Sequence, residues 1–202
     1  MTRIVLTRHG HVEGIEPERF RGRADIPLTE RGEAQARAVA RRIAREWPPA
    51  AIYTSPLRRC VTTASMIAKA CGMEFGEIHD LIDLDYGILQ WKTCDEVSRE
   101  YPELYRRWLA APQSVQFPEG ESLQDLAARV ARVLRLMEQR HPDATVVLVA
   151  HDSVNRVLLM QALDQPLSSW RRISQSPCGI DEILIEGLQV RVERINDTCH
   201  LP

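Results

Sequence analysis

No stretch of this sequence approaches the roughly 20 apolar residues that a membrane-spanning helix needs. The first apolar run is interrupted at Arg8, too early to be the core of a secretion signal. Those two absences point to the cytoplasm and to no membrane partner. Net charge is nearly missing as well. There are 26 basic against 28 acidic side chains, which leaves −2. No bulk electrostatic attraction to nucleic acid or to a lipid surface follows from such a balance. Cysteine is scattered and odd in number, at Cys60, Cys71, Cys94, Cys178 and Cys199. Without a C-x-x-C pair, that usage fits a reduced, intracellular chain whose thiols are structural. Internal repeats and low-complexity tracts are absent too.

What is present is a chain of 202 residues with 44% hydrophobic content. That is enough for one α/β domain with a proper core, over 1–202. Its first stretch, Arg3-Ile4-Val5-Leu6-Thr7-Arg8-His9-Gly10, reads as a buried strand that stops at a cation, an imidazole and a glycine. In open parallel sheets, ligands bind just beyond the carboxyl ends of the strands. Arg8 offers a fork of donors suited to phosphate or carboxylate. His9 offers a nitrogen that is nucleophilic when neutral. Gly10 permits a close backbone approach or a positive φ.

Two further strand ends carry the same chemistry. Ala51-Ile52-Tyr53-Thr54 leads into Ser55-Pro56-Leu57-Arg58-Arg59, with Ser55 as N-cap and Pro56 at the first helical position. Arg58 and Arg59 then fall in the first turn, where the helix dipole disfavours cations unless an anion sits there. Ala144–Ala150 is another buried strand and ends in His151. Arg8-His9, Arg58 and His151 thus converge on one anion pocket.

Between these ends the pattern alternates. Thr29 caps a helix to about Glu46, whose stripe of Ala36, Val39, Ala40, Ile43 and Trp47 faces the sheet. Pro48-Pro49 stops it. A helix over 56–71 ends at Gly72. Residues 73–121 are less regular, with a helix from Asp95 to Leu109, and form a lid segment rather than a separate domain. Ser122 and Asp125 make a capping box for a helix to about Arg140. A helix follows His151 through Leu163. The runs 183–185 and 188–195 form a hairpin at the sheet edge, the second alternating Leu188, Val190 and Val192 with polar residues. The fold expected is a three-layer α/β structure, a mostly parallel sheet with helices on both faces.

The motifs Thr7-Arg8-His9-Gly10, Arg21 through Gly32, Thr54-Ser55-Pro56-Leu57-Arg58-Arg59, Gly120-Glu121-Ser122 and Val149-Ala150-His151 resemble those of the histidine phosphatases, the phosphoglycerate mutase-like superfamily. The resemblance runs over nearly the whole chain in the family's order. It implies a phosphoglycerate mutase-like fold and a phosphomonoesterase of the histidine acid phosphatase type. By the same resemblance His9 is the nucleophile, and Arg8, Arg58 and His151 form the phosphate pocket. Arg21 stands in a rim that guides the substrate, close to Arg19 and Arg23. The family's acid is usually a Glu three residues before an aromatic-Gly pair. Here Tyr86-Gly87 puts Asp83 in that place. The chain departs from the family at His11-Val12, at Gly14-Ile15 and at Asp152.

An Arg, Arg, His, His cluster is an anion pocket without a metal, so no cofactor is expected. The expected partner is a small phosphorylated substrate, and a homodimer is compatible with the sequence. Alternatives are a mutase-type phosphoryl transfer or a non-catalytic module that binds phospho-ligands. His9-x-His11 as a metal pair lacks further ligands at metal spacing among His79, His141 and His200. Asp83-x-Asp85 as an aspartyl nucleophile lacks the buried strand that should precede it. None of the cysteines begins the Cys-x5-Arg loop of cysteine phosphatases.

Overall fold

The computed structural model describes residues 1–187 and 189–201. In chain order its strands and α-helices are β1 (Thr2–Arg8), α1 (Glu30–Glu46), β2 (Ala51–Thr54), α2 (Arg58–Cys71), β3 (Gly76–Glu77), α3 (Cys94–Glu100), α4 (Pro102–Ala110), α5 (Leu123–Arg140), β4 (Thr145–Ala150), α6 (Asp152–Ala162), β5 (Ile180–Glu186) and β6 (Gln189–Asp197). The strands form one sheet in the order β3-β2-β4-β1-β5-β6. β1, β2, β3 and β4 are parallel, while β5 runs antiparallel to β1, and β6 antiparallel to β5 at the sheet edge. This is the mostly parallel, three-layer α/β architecture that the alternating pattern predicts.

Alternation along the central strands supplies both outer layers, because successive side chains point to opposite faces. Ile4, Leu6, Val146, Leu148 and Ala150 pack with Leu126, Val130 and Val133 of α5 and with Val154 and Leu158 of α6. Val5, Val147, Val149 and Ile52 pack with Val39 and Ile43 of α1 and with Ala64 and Ile67 of α2. A sheet covered on both faces needs such near-continuous apolar strands.

Local signals explain most boundaries. Thr29 Oγ1 accepts from Gly32 N (3.1 Å) at the start of α1, and Trp47 lies buried at its end. Gly72 closes α2 in the left-handed conformation (φ 67°). The Ser122–Asp125 capping box of α5 is present. Three expectations need correction. The helix expected over 95–109 is two, α3 and α4, because Pro102 cannot continue α3 and Tyr101 turns out of the helical region (φ −134°, ψ 56°). α2 starts at Arg58 with Leu57 as its uncapped N-cap; the Ser55 hydroxyl is engaged elsewhere. The edge hairpin is present but longer, 180–186 against 189–197, and Leu188 lies outside the described residues.

Gly10 serves a close approach. A Cβ there would stand 2.3 Å from the Gly32 carbonyl oxygen, and one on Gly32 would stand 2.1 Å from the His11 carbonyl oxygen. The turn after β1 is therefore pressed onto the start of α1. An aromatic cluster ties residues 73–121 to the loop before α1 and to the segment after α6. Tyr86 lies 5.0 Å from Phe20 and from Phe117, and Trp108 lies 5.6 Å from Trp170. Among the described residues, no helix is long and apolar enough to cross a membrane.

Candidate active site

β1 and β4 are hydrogen-bonded neighbours and stop together, Arg8 opposite Ala150. His9 and His151 therefore leave adjacent parallel strands, and their ring centroids are 5.3 Å apart at an interplanar angle of 62°. Strand spacing, about 4.8 Å, sets that distance.

His9 is buried. Its Nδ1 lies 2.7 Å from the Gly10 carbonyl oxygen. A carbonyl only accepts, so Nδ1 carries the proton and Nε2 keeps its lone pair. Arg59 Nε donates to that Nε2 at 3.2 Å. Burial, then the Arg59 and Arg8 guanidiniums, holds the imidazole well below its ordinary pKa. It is a neutral base at physiological pH. His151 is also buried and likewise held neutral, by burial first and Arg59 second. Its Nε2 lies 2.7 Å from Ser55 Oγ and its Nδ1 3.7 Å from Asp83 Oδ2. That contact explains why Ser55 does not cap α2.

Asp83 reaches the same point from the irregular segment. Its Oδ1 accepts from the Ser153 hydroxyl and from Leu84 N (2.9 Å), and its Oδ2 from Arg59 Nη2 (3.3 Å). The turn that carries it is nailed down by the buried Arg129 of α5. Arg129 Nη1 donates to the carbonyls of Asp80 (2.7 Å) and Ile82 (2.6 Å), and Nη2 to that of Asp83 (3.0 Å). Arg8 is buried too, with Nη1 donating to the Gln175 carbonyl (2.6 Å). Burial lowers its pKa to about 10, which leaves it cationic at neutral pH.

Arg58 is misplaced by the sequence reading. Its side chain is exposed, and its backbone N–H donates to Asp25 Oδ1 (2.8 Å). Arg59 is the fully buried guanidinium that touches both His9 and Asp83. Its other nitrogens donate to the carbonyls of Ala24 and Gly22, both at 2.7 Å. A usable signal was present. The buried face of α2 runs Arg59, Cys60, Thr63, Ala64, Ile67, Ala68, and the apolar members of that stripe put Arg59, not Arg58, in phase with the core. Ser55, Ser153 and Arg129 carried no such signal, because each is polar and its partner is remote in sequence.

Of the three loop arginines, Arg19 and Arg21 line a cleft with Tyr86, Arg156 and Trp170, and that cleft meets the site at Asp83 and Ser153. The cleft holds about 200 Å³. Arg21 is anchored to the Gly14 carbonyl (2.6 Å). Arg23 is neutralised by Asp85 and Glu121, both at 3.1 Å. Asp152, the residue after His151, holds Arg156 Nε at 2.7 Å, and that guanidinium stacks on Trp170. Among the described residues, no group of three or more His, Cys, Asp or Glu stands where it could hold a metal ion. His11 instead meets Thr29 Oγ1 (2.9 Å).

Comparison with known proteins gives the same direction. A family model described as the histidine phosphatase superfamily (branch 1) matches residues 4–198. Phosphoserine phosphatase 1 of Hydrogenobacter thermophilus is 34% identical over 201 residues, covering 100% of this chain and 95% of that one. A probable phosphoglycerate mutase of Salmonella arizonae is 31% identical over 206 residues, covering 100% and 95%. Among solved structures, a mutant phosphoserine phosphatase of Entamoeba histolytica in complex with phosphoserine superimposes with a TM-score of 0.90 at 25% identity, covering 100% of both chains.

Proposed function

The chain belongs to the histidine phosphatase superfamily (branch 1), and from that premise we propose that it hydrolyses small phosphomonoesters through a phosphohistidine on His9, without a metal ion. The observation that carries this reading is the state of His9. Its Nδ1–H is committed to the Gly10 carbonyl, its Nε2 lone pair faces the Arg59 fork, and it is neutral inside a cationic pocket. Phosphoryl transfer is mostly positioning and charge stabilisation. The forks of Arg8 and Arg59 suit the non-bridging oxygens. Nε2 attacks phosphorus in line, the N–P bond forming as the ester P–O bond breaks. Asp83 takes a proton from the incoming phosphate monoanion and gives it to the leaving oxygen, and His151 donates a ring N–H to the developing charge. Water then attacks the phosphohistidine, Asp83 takes a proton from it, and phosphate leaves with His9 restored.

The leaving group occupies the cleft that Asp83 and Arg21 line, whose size suits a cytoplasmic metabolite. Residues 73–121 supply Tyr86, Tyr105 and Trp108 to its wall and act as its cover within a single domain. Arg59→Ala should lower kcat/KM by about 10² to 10³, the effect of losing one donor to a developing charge. Arg58→Ala should stay within about threefold of wild type, since its side chain faces solvent. Equal losses for the two would remove Arg59 from the pocket.

The test of the mechanism is a rapid quench with labelled phosphomonoester in the presence of a chelator. The expected product is an acid-labile, base-stable label on the protein, formed at the same rate with and without chelator. An acid-stable label, or a rate restored only by a divalent metal, would overturn the reading. The same experiment separates it from its alternatives: a mutase passes the label to a second hydroxyl rather than to water, and a binding module forms no label.

A further inference from the structure

Beneath the pocket runs a buried polar chain that the proposed mechanism does not use: Asn155 on α6, Gln175 in the loop before β5, and Asp181 on β5, all buried. One direction of the chain has Asn155 Nδ2 donating to Gln175 Oε1 (2.9 Å) and Gln175 Nε2 donating to Asp181 Oδ1 (2.9 Å). That direction ends on an ionised carboxylate. It also sets the Asn155 oxygen against the His151 carbonyl and its nitrogen against the Arg8 backbone N–H. Acceptor then meets acceptor and donor meets donor. Turning the Asn155 amide over cures both faults: its nitrogen donates to the His151 carbonyl (3.1 Å) and its oxygen accepts from Arg8 N (3.2 Å). Amide orientation follows from the hydrogen-bond network, and here the consequence propagates. The Asn155 oxygen now faces Gln175 at 2.9 Å, so Gln175 must turn to donate there. Its own oxygen then faces Asp181 Oδ1, and a carboxylate with no proton cannot satisfy it.

We infer that Asp181 is a positioning residue that works as a neutral acid, its proton fixing the direction of the Gln175–Asn155 chain and so holding the backbone at Arg8 and His151. The proposal rests on the reading of those two residues as the phosphate pocket. Gln175 reinforces the link, because its carbonyl also holds the Arg8 guanidinium (2.6 Å). Among the described residues Asp181 Oδ2 has no hydrogen-bond partner, which costs a neutral carboxyl less than a charged one.

Burial raises the Asp181 pKa to about 7. Charged groups on the elements around it are engaged elsewhere. Arg8 of β1 is on the Gln175 carbonyl, and Glu182 of β5 pairs with Arg3 and Arg194. Asp197 of β6 pairs with Arg42, and Arg156 of α6 with Asp152. His9 and His151 are held neutral, and burial pushes the Cys178 thiol up. His200 sits on the Cys178 carbonyl, and Asn196 presents only its backbone N–H to Asp181 (2.7 Å). For an acid with a raised folded pKa, the favourable state is full at low pH and is lost as pH rises through about 7.

The variants Asp181→Asn and Asp181→Ala test this. An Asn amide can donate to Gln175 as the protonated acid does. Asp181→Asn should keep kcat/KM within about threefold of wild type at pH 6, and the ratio of variant to wild type should rise about tenfold between pH 6 and pH 9. Ionisation of the substrate is common to both enzymes and cancels in that ratio. Asp181→Ala should lose activity at every pH. In the infrared, wild type at pH 6 should show a buried protonated-carboxyl band that is missing at pH 9 and missing from Asp181→Asn. A flat ratio, or no such band, would overturn the inference even if Asp181→Ala fails to fold. Failure of the phosphatase reading would look different: wild type would have no turnover at any pH, while the band could still be recorded.

Discussion

His9→Ala should abolish turnover, lowering kcat by 10⁴-fold or more, on the order seen when an enzyme loses its nucleophile. No neighbour can replace it. Asp83 is tied to Arg59, Ser153 and Leu84. His151 has Nε2 against Ser55. Burial pushes the Cys60 thiol up, so it carries no thiolate at neutral pH. Arg8 and Arg59 remain in the variant, so inorganic phosphate should bind within about tenfold of the wild-type affinity. A large loss in kcat with binding retained identifies a nucleophile; loss of both identifies a structural residue. Activity within about 100-fold of wild type would mean that another group attacks.

The second large effect belongs to Asp83 and depends on the leaving group. A general acid matters most for a poor leaving group. Nitrophenolate departs with little help, while an alkoxide needs a proton. In single-turnover phosphorylation of the enzyme, Asp83→Asn should lose about 10² to 10⁴ more rate on alkyl phosphates than on nitrophenyl phosphate. Steady-state rates do not serve, because in the proposed mechanism dephosphorylation of His9 calls on the same carboxylate as a base. Equal losses on both substrates would remove Asp83 as the acid. The other carboxylate on the cleft wall is Asp152, which pairs with Arg156; neither Asp80 nor Asp85 lines the cleft.

Much of this arrangement was legible before the structure. Apolar runs that end in Arg8-His9 and in His151 marked two strand ends, because a strand buried on both faces needs unbroken apolar sequence and its polar successor stands out. Caps at Thr29 and Ser122 were legible for the same local reason. What could not be read was geometry settled between remote segments. Arg58 and Arg59 are chemically identical, and only the phase of α2 against the sheet decides which is buried. Arg129 lies 46 positions from the Asp83 carbonyl that it holds, and nothing near either residue announces the pair. Ser55 looked like a cap because caps are local, yet its hydroxyl is drawn to His151, 96 positions away. The break between α3 and α4 is itself local, at Pro102, which cannot continue α3.

The place of β1 in the sheet has a consequence for the order of events in folding. It lies between β4 and β5, pairing Arg3 with Thr145 on one side and with Leu184 on the other. Both pairings join segments separated by most of the chain, and such loops close late because their entropy must be met before contacts reward it. During synthesis β1, which leads into His9, emerges before both of the strands that it pairs with. Until β4 and β5 have left the ribosome, Ile4, Val5 and Leu6 lack both of their partner strands, and these apolar residues stay exposed to aggregation or to a chaperone. The junction of His9 and His151 is therefore among the last features to form, because it needs β1 and β4 seated side by side.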